Sequence, residues 1–210
     1  MTAEVLERRD LVAPGGAPPV SPPEPADGGE SGGVFGDTAR VGLYAFLGTV
    51  TMLFLGFTSA FILRRASADW RPLAPPSLLW LSTGALVVSS LVLELAKQRL
   101  KAFDLVGCQT WVWATGALGG LFVAAQFGAW RQLAAAGVFL ASNPSSSFFY
   151  VITGAHILHV ASGLVWFAVI VARLRRLAIL PGGEGLSLFA TYWHYLGVLW
   201  LYLVFLMFGR

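Results

Sequence analysis

Two histidines stand three residues apart inside a long apolar run, and they are the side chains with the clearest chemical potential. His156 and His159 lie in the stretch from Phe148 to Ala172, which contains no Asp, Glu, Lys or Arg. The stretch is long enough to cross a membrane as a helix, and a spacing of three puts both imidazoles on one face of it. Ionisable groups at membrane depth are expensive, so each of them needs a structural or chemical reason.

Metal or haem ligation is the chemical interpretation of this pair. Imidazoles one turn apart can share a metal, but a membrane haem takes axial ligands from two sides. The third histidine, His194, is predicted at the opposite face of the membrane, so the ligand set is incomplete. The residues favour a second interpretation, in which His156 and His159 hydrogen-bond across a helix bundle to backbone or hydroxyl groups. On this interpretation the chain contributes no catalytic, cofactor-binding or metal-binding residue.

Glu94 is the single carboxylate within a predicted span. Proton relay is the functional interpretation of such a residue. The structural interpretation is pairing with Lys97, which follows three residues later on the same helix face. The predicted topology places His194 at the same, cytoplasmic, face as Glu94, yet a relay needs a longer chain of titratable groups. Both interpretations remain open from the sequence.

Two further runs carry polar groups that a lipid-facing surface would not satisfy. Gln126 indicates a protein-facing side on the third run, because an amide facing lipid leaves its donors and acceptors unpaired. Gly116 to Gly120 in the same run has the small-residue spacing that allows close helix approach. The fifth run is dense in aromatic residues with polar ends, among them Trp193 and Trp200, and packing is their expected role.

Composition excludes a soluble domain. Hydrophobic residues make up 56% of the chain and charged residues only 12%, which is typical of a protein dissolved mostly in lipid. From Arg40 onward there are 12 basic residues against 4 acidic ones. They cluster at the ends of apolar runs, as topology-determining charges do, and so do not indicate nucleic-acid binding.

Five apolar runs must position these side chains, and each is long enough to span a bilayer. Residues 1–39, with six prolines and seven glycines, are predicted to be a disordered cytoplasmic tail. The distribution of basic residues predicts a cytoplasmic amino terminus and an external carboxyl terminus. The predicted fold is an all-α integral membrane bundle of five transmembrane helices, in residues 40–210, with spans at about 41–63, 76–96, 105–130, 148–172 and 186–208.

Two segments resemble a known family. Phe148 to Val160, which holds Thr153-Gly154 and the two histidines, is similar to a motif of subunit III of the haem–copper terminal oxidases. Tyr192 to Tyr195, followed by Trp200, resembles that family's last helix. The resemblance covers about residues 40 to 208 and includes the order of the five runs, as in the short five-helix bacterial form. The candidate motif residues and interhelical polar contacts are therefore His156, His159, Gly154, Glu94, Gln126, Trp193, His194 and Trp200.

The resemblance implies an accessory, non-redox subunit of a respiratory oxygen reductase of the cytochrome c oxidase type, in a bacterial inner membrane. Such a subunit packs on subunit I, in a complex with subunit II and other respiratory subunits, and supports sustained proton pumping. Haem and copper belong to the partner subunits, and bound phospholipid is compatible with the family. The alternatives are the equivalent small subunit of a quinol oxidase or nitric oxide reductase, or a free-standing membrane transporter or adaptor. The chain departs from many relatives in lacking a buried glutamate within its first helix and an aspartate at Gly197.

Overall fold

The computed structural model describes residues 31–175 and 184–209, and these form five α-helices. Each helix contains a segment long and apolar enough to cross a membrane. The predicted all-helical bundle with five spans is therefore confirmed. In chain order the helices are α1 (Ser31–Arg65), α2 (Ser77–Lys101), α3 (Leu105–Ala135), α4 (Pro144–Arg175) and α5 (Glu184–Phe208).

Most of the helices extend beyond the apolar runs that predicted them. The first begins at Ser31 and not at Val41, so it includes residues 31–39 of the segment predicted as a tail. Residues 1–30, the rest of that tail, lie outside the described residues. Hydropathy detects only the lipid-immersed part of a helix, whereas the backbone hydrogen bonds continue into the polar layer. There Asp37 and Arg40 face each other one turn apart at 4.0 Å.

Short links join the first three helices. Arg64 and Asp69 form a 2.6 Å ion pair where the chain leaves α1, and a hydrogen bond from Ser67 together with this guanidinium holds the pKa of Asp69 below its ordinary value. Between α2 and α3 the chain turns within three residues. Phe103 adopts a positive φ of 57° there, and Asp104 caps α3 by accepting from the Gly107 amide at 2.8 Å.

The fourth and fifth helices form the centre of the bundle, because each packs against three others. α5 contacts α1, α2 and α4, and α4 contacts α1, α3 and α5, while α3 also packs against α2. The inward face of α5 carries Trp193, Leu196, Trp200 and Leu203, which are essentially inaccessible to solvent. Among the described residues α1 contacts only α4 and α5 and does not reach α2. A gap therefore remains between α1 and α2, with part of α5 at its base.

Close approach of α3 to its neighbours depends on two of the predicted small residues. A Cβ atom added at Gly119 would lie 2.9 Å from the indole of Trp193, and one added at Gly116 would overlap the ring of Phe167. Gly120 has no atom within 4 Å of such a Cβ. The contact thus uses the first and fourth positions of this stretch, and the fifth faces outward.

Candidate functional site

His156 is completely buried at the point where α3, α4 and α5 meet. Its ring centroid lies 4.8 Å from that of Trp200 and 5.7 Å from that of Phe122. Within the described part of the chain neither ring nitrogen has a hydrogen-bond partner. The hydrogen bond across the bundle predicted for this residue is therefore absent, because the sequence pattern gives no information on helix rotation and aromatic rings occupy the space around the imidazole.

His159 is also placed differently from the prediction. Its Nδ1 lies 2.7 Å from the carbonyl oxygen of Ala155, one turn earlier in its own helix. The other neighbours of the ring are aromatic side chains of α1, with Phe54 at 5.7 Å between centroids and Phe46 at 6.4 Å. The contact of its imidazole across the bundle is thus a ring contact and not a hydrogen bond.

Gln126 is the second buried polar side chain without a partner among the described residues. Both amide atoms are inaccessible and unpaired. The residue lies one turn beyond Phe122, whose ring contacts His156 and also packs edge-on against Trp200 at 5.2 Å. Two unsatisfied polar groups therefore lie in the α3–α4–α5 core, where each costs about 1–3 kcal/mol if nothing pairs with it.

Two tryptophans join α5 to α2. The indole N–H of Trp193 donates to Ser89 Oγ at 2.9 Å, and that of Trp200 donates to Thr83 Oγ1 at 3.0 Å. Each hydroxyl in turn donates to a carbonyl oxygen of its own helix, that of Leu86 or that of Leu79. The hydroxyl groups are therefore fixed as acceptors, and the two bonds set the rotation of α5 against α2.

Gly154 and its neighbour connect α4 to α3. The indole of Trp130 donates to Thr153 Oγ1 at 3.1 Å. A Cβ at Gly154 would meet the same indole at 3.8 Å, an ordinary van der Waals distance. Gly154 thus allows close packing, but a Cβ atom at this position would not overlap the indole of Trp130.

Three tyrosines make interhelical contacts that sequence reasoning missed. Tyr195 OH lies 2.7 Å from Thr51 Oγ1, and Tyr202 OH donates to Thr58 Oγ1 at 3.2 Å, both across the α1–α5 contact. A buried tyrosine hydroxyl usually finds a partner, and the seven-residue spacing of these two on α5 is the signal that was available. The third, Tyr192, donates to the carbonyl oxygen of His159 at 2.8 Å.

Glu94 lies beside two cationic or titratable groups. Its Oε2 is 2.9 Å from Lys97 Nζ and 3.6 Å from His194 Nε2. The side chains keep 44%, 22% and 38% of their accessible surface, in the order Glu94, Lys97, His194. The structure thus brings together the two residues predicted to share one face of the membrane, and pairs Glu94 with Lys97.

The three histidines do not form one cluster. Trp200, which contacts His156, lies almost two turns further along α5 than His194. In the described ranges no group of three or more His, Cys, Asp or Glu side chains is arranged to hold a metal ion. Among the polar side chains described above, the tryptophans and tyrosines of α5 join helices, whereas the side chains of the Glu94 cluster are partly exposed.

Comparison with known proteins assigns this arrangement to a family. The family model described as cytochrome c oxidase subunit III matches residues 29–209. A cytochrome c oxidase subunit 3 of Synechocystis sp. is 32% identical over 193 residues, which are 86% of this chain and 80% of the relative. That of Thermostichus vulcanus is 30% identical over 182 residues, 82% and 87% of the two chains. That of Alkalihalophilus pseudofirmus is 30% identical over 174 residues, 80% and 84% of the two.

These matches confirm the resemblance inferred from the two histidine-containing segments. They do not favour the alternatives of a quinol oxidase or nitric oxide reductase subunit, or of a transporter or adaptor. The chain is a multi-pass membrane protein, and it belongs to the cytochrome c oxidase subunit III family, whose members are subunits of the haem–copper oxidases of the respiratory chain.

Proposed function

We propose that this chain packs directly on the catalytic subunit I of its oxidase and supports sustained proton pumping without carrying a redox centre itself. The observation that carries the proposal is the use of the polar side chains at membrane depth. Trp193, Trp200 and Tyr202 each donate a hydrogen bond to a neighbouring helix of the same chain. Haem and copper then belong to partner subunits, with subunit II and other respiratory subunits in the same complex.

The proposed location is a bacterial inner membrane, with the amino terminus in the cytoplasm and the carboxyl terminus outside. Basic residues support this orientation, because they are more numerous at the end of the bundle that holds Arg40 and the end of α2. Arg40 and Glu184 form a 3.5 Å pair at that end. The Glu94 cluster then lies in the cytoplasmic half of the membrane.

Bound phospholipid is part of the same proposal. An apolar furrow of about 340 Å³ lies between α1, α4 and α5, with Leu43, Phe46 and Trp166 in its walls. It opens near the Arg40 end of the bundle, so an acyl chain can enter it while the headgroup stays in the polar layer. The partners within the membrane are thus lipids and oxidase subunits, and no nucleic acid is involved.

The proposal is tested by purifying the tagged chain in mild detergent from its native membrane. Reduced-minus-oxidised spectra and mass spectrometry of the co-purifying chains are the two measurements. We expect haem-containing subunits to co-elute with the tagged chain, and not with an unrelated tagged membrane protein from the same host. A colourless, partner-free preparation would contradict the proposal, and the haem type would identify the class of oxidase.

A further inference from the structure

A strip of α5 is left uncovered in the gap between α1 and α2. One edge of it is bounded by the tyrosines that contact α1, and the other by the tryptophans that donate to α2. Between these edges the outward side chains follow one face of the helix at intervals of three and four residues. We call them the α5 strip: His194, Val198, Leu201 and Phe205.

A gap lies beside the strip, between α1 and α2. Within the described residues no Cα atom of α1 lies within 8 Å of a Cα atom of α2. At the carboxyl end of α1 lies a cavity of about 960 Å³, whose lining includes Arg65 of α1, Trp80 of α2, and Leu201 and Phe205 of α5. Val198 is 67% exposed and Phe205 is 71% exposed. Val198, Leu201 and Phe205 therefore form an exposed apolar surface on α5 between α1 and α2.

The other end of the strip lies beside the carboxylate of Glu94, with His194 Nε2 3.6 Å from Glu94 Oε2. His194 lies about 15 Å along α5 from Glu184, and Glu94 lies about 10 Å before the end of α2 at Lys101. Both helices are 25 residues long, only slightly longer than a hydrocarbon layer of roughly 30 Å. Glu94 and His194 thus fall within the predicted spans 76–96 and 186–208, while their side chains are about two-fifths exposed. Such groups require a polar covering.

We propose that the α5 strip and Glu94 form the docking surface for a transmembrane helix of a partner subunit, which presents a hydrogen-bond donor to Glu94. Among the described residues both contacts of the carboxylate fall on Oε2, which leaves Oε1 for a donor from a partner subunit. Acyl chains offer no donor to this oxygen. The inference rests on the proposed packing against subunit I, and it adds the face and the chemistry of that contact.

Site-specific photo-cross-linking in the intact complex tests the face. A photoreactive benzoylphenylalanine is placed at Val198 on the strip or, as a matched control, at Val165 on α4, which is 68% exposed. The complex is purified from native membranes, irradiated, and analysed by mass spectrometry. We expect Val198 to cross-link to a transmembrane segment of a haem-carrying subunit and Val165 to give no protein product.

A cross-link from Val198 only to lipid or to a second copy of this chain, or equal products at both positions, would overturn the docking inference. A product from Val165 alone would also overturn it, while leaving the proposed packing on the oxidase intact. Failure of haem-carrying subunits to co-purify before irradiation would instead contradict the proposed function.

Two substitutions of Glu94 test the hydrogen bond. Glu94→Gln and Glu94→Leu both remove the negative charge beside Lys97, but only glutamine keeps an acceptor. We expect Glu94→Leu to reduce the co-purified partner by about threefold relative to Glu94→Gln, the size of one interhelical hydrogen bond. Equal recovery of the partner with both variants would show that no donor meets this side chain.

Discussion

At the scale of single residues, two unpaired polar side chains in the core lower the stability of the bundle. Gln126 and His156 are both fully buried, and in the described structure neither has a hydrogen-bond partner. A polar group that is buried without a partner loses its hydrogen bonds to water and gains none in exchange. Packing against Phe122 and Trp200 is what holds the imidazole in place, so its contribution is that of an aromatic ring.

Replacing Gln126 by leucine should therefore stabilise the bundle, because the side chains are similar in size and the unpaired amide is removed. We expect Gln126→Leu to raise the free energy of unfolding by about 1 kcal/mol. The matched control is Gln132→Leu, since the Gln132 amide donates to Ser77 Oγ at 3.2 Å and that bond is lost. Thermal unfolding of the purified complex in mild detergent compares the two, and destabilisation by Gln126→Leu would contradict the assignment.

The tryptophan–hydroxyl bonds provide a second prediction for single residues. Trp200→Phe and Thr83→Val each remove one partner of the same 3.0 Å bond. A double-mutant cycle should give a coupling energy of about 0.6 kcal/mol, the average for polar side-chain pairs within membrane bundles. The control cycle pairs Trp200→Phe with Thr110→Val, because Thr110 donates only within its own helix. Equal coupling in both cycles would show that the indole N–H contributes nothing across this contact.

At the scale of whole helices, the rotation of each helix about its axis determines which side chains make contact. Five spans were predictable from the sequence, because each apolar run is about as long as the hydrocarbon layer is thick. The rotation of each helix was not, since hydropathy is nearly uniform around a membrane helix. His159 illustrates the difference: its depth follows from the sequence, whereas its hydrogen bond to Ala155 follows from rotation and packing.

Adjacent glycines on α3 allow that rotation to be tested. A Cβ at Gly119 would lie 2.9 Å from Trp193, whereas Gly120 faces open space. We expect Gly119→Ala to destabilise the bundle by about 1–3 kcal/mol through overpacking. Gly120→Ala should be neutral or stabilising by up to about 1 kcal/mol, because alanine favours the helix. Thermal unfolding measures both variants, and the reverse order of stabilities would mean that α3 is rotated differently.

At the scale of the whole molecule, the proposed accessory role concerns the redox centres of the oxidase complex. Family membership assigns the chain to a haem–copper oxidase, and no side-chain group in residues 31–175 or 184–209 is arranged as a metal site. An accessory role therefore predicts that removing the chain spares the redox centres. Direct contact with the catalytic subunit predicts in addition that, without this chain, the oxidase loses activity faster during turnover.

Deletion of the chain tests both parts of that argument. We expect the oxidase purified without it to keep its haem content and its initial rate of oxygen consumption per haem, because the proposed function assigns the redox centres to the partner subunits. Its activity should then decay over successive turnovers faster than that of the complete complex. Continuous oxygen-electrode traces normalised to haem measure both quantities. Immediate loss of haem or of the initial rate would assign this chain a part in assembling the catalytic centre, and equal decay would remove the proposed role in sustained pumping.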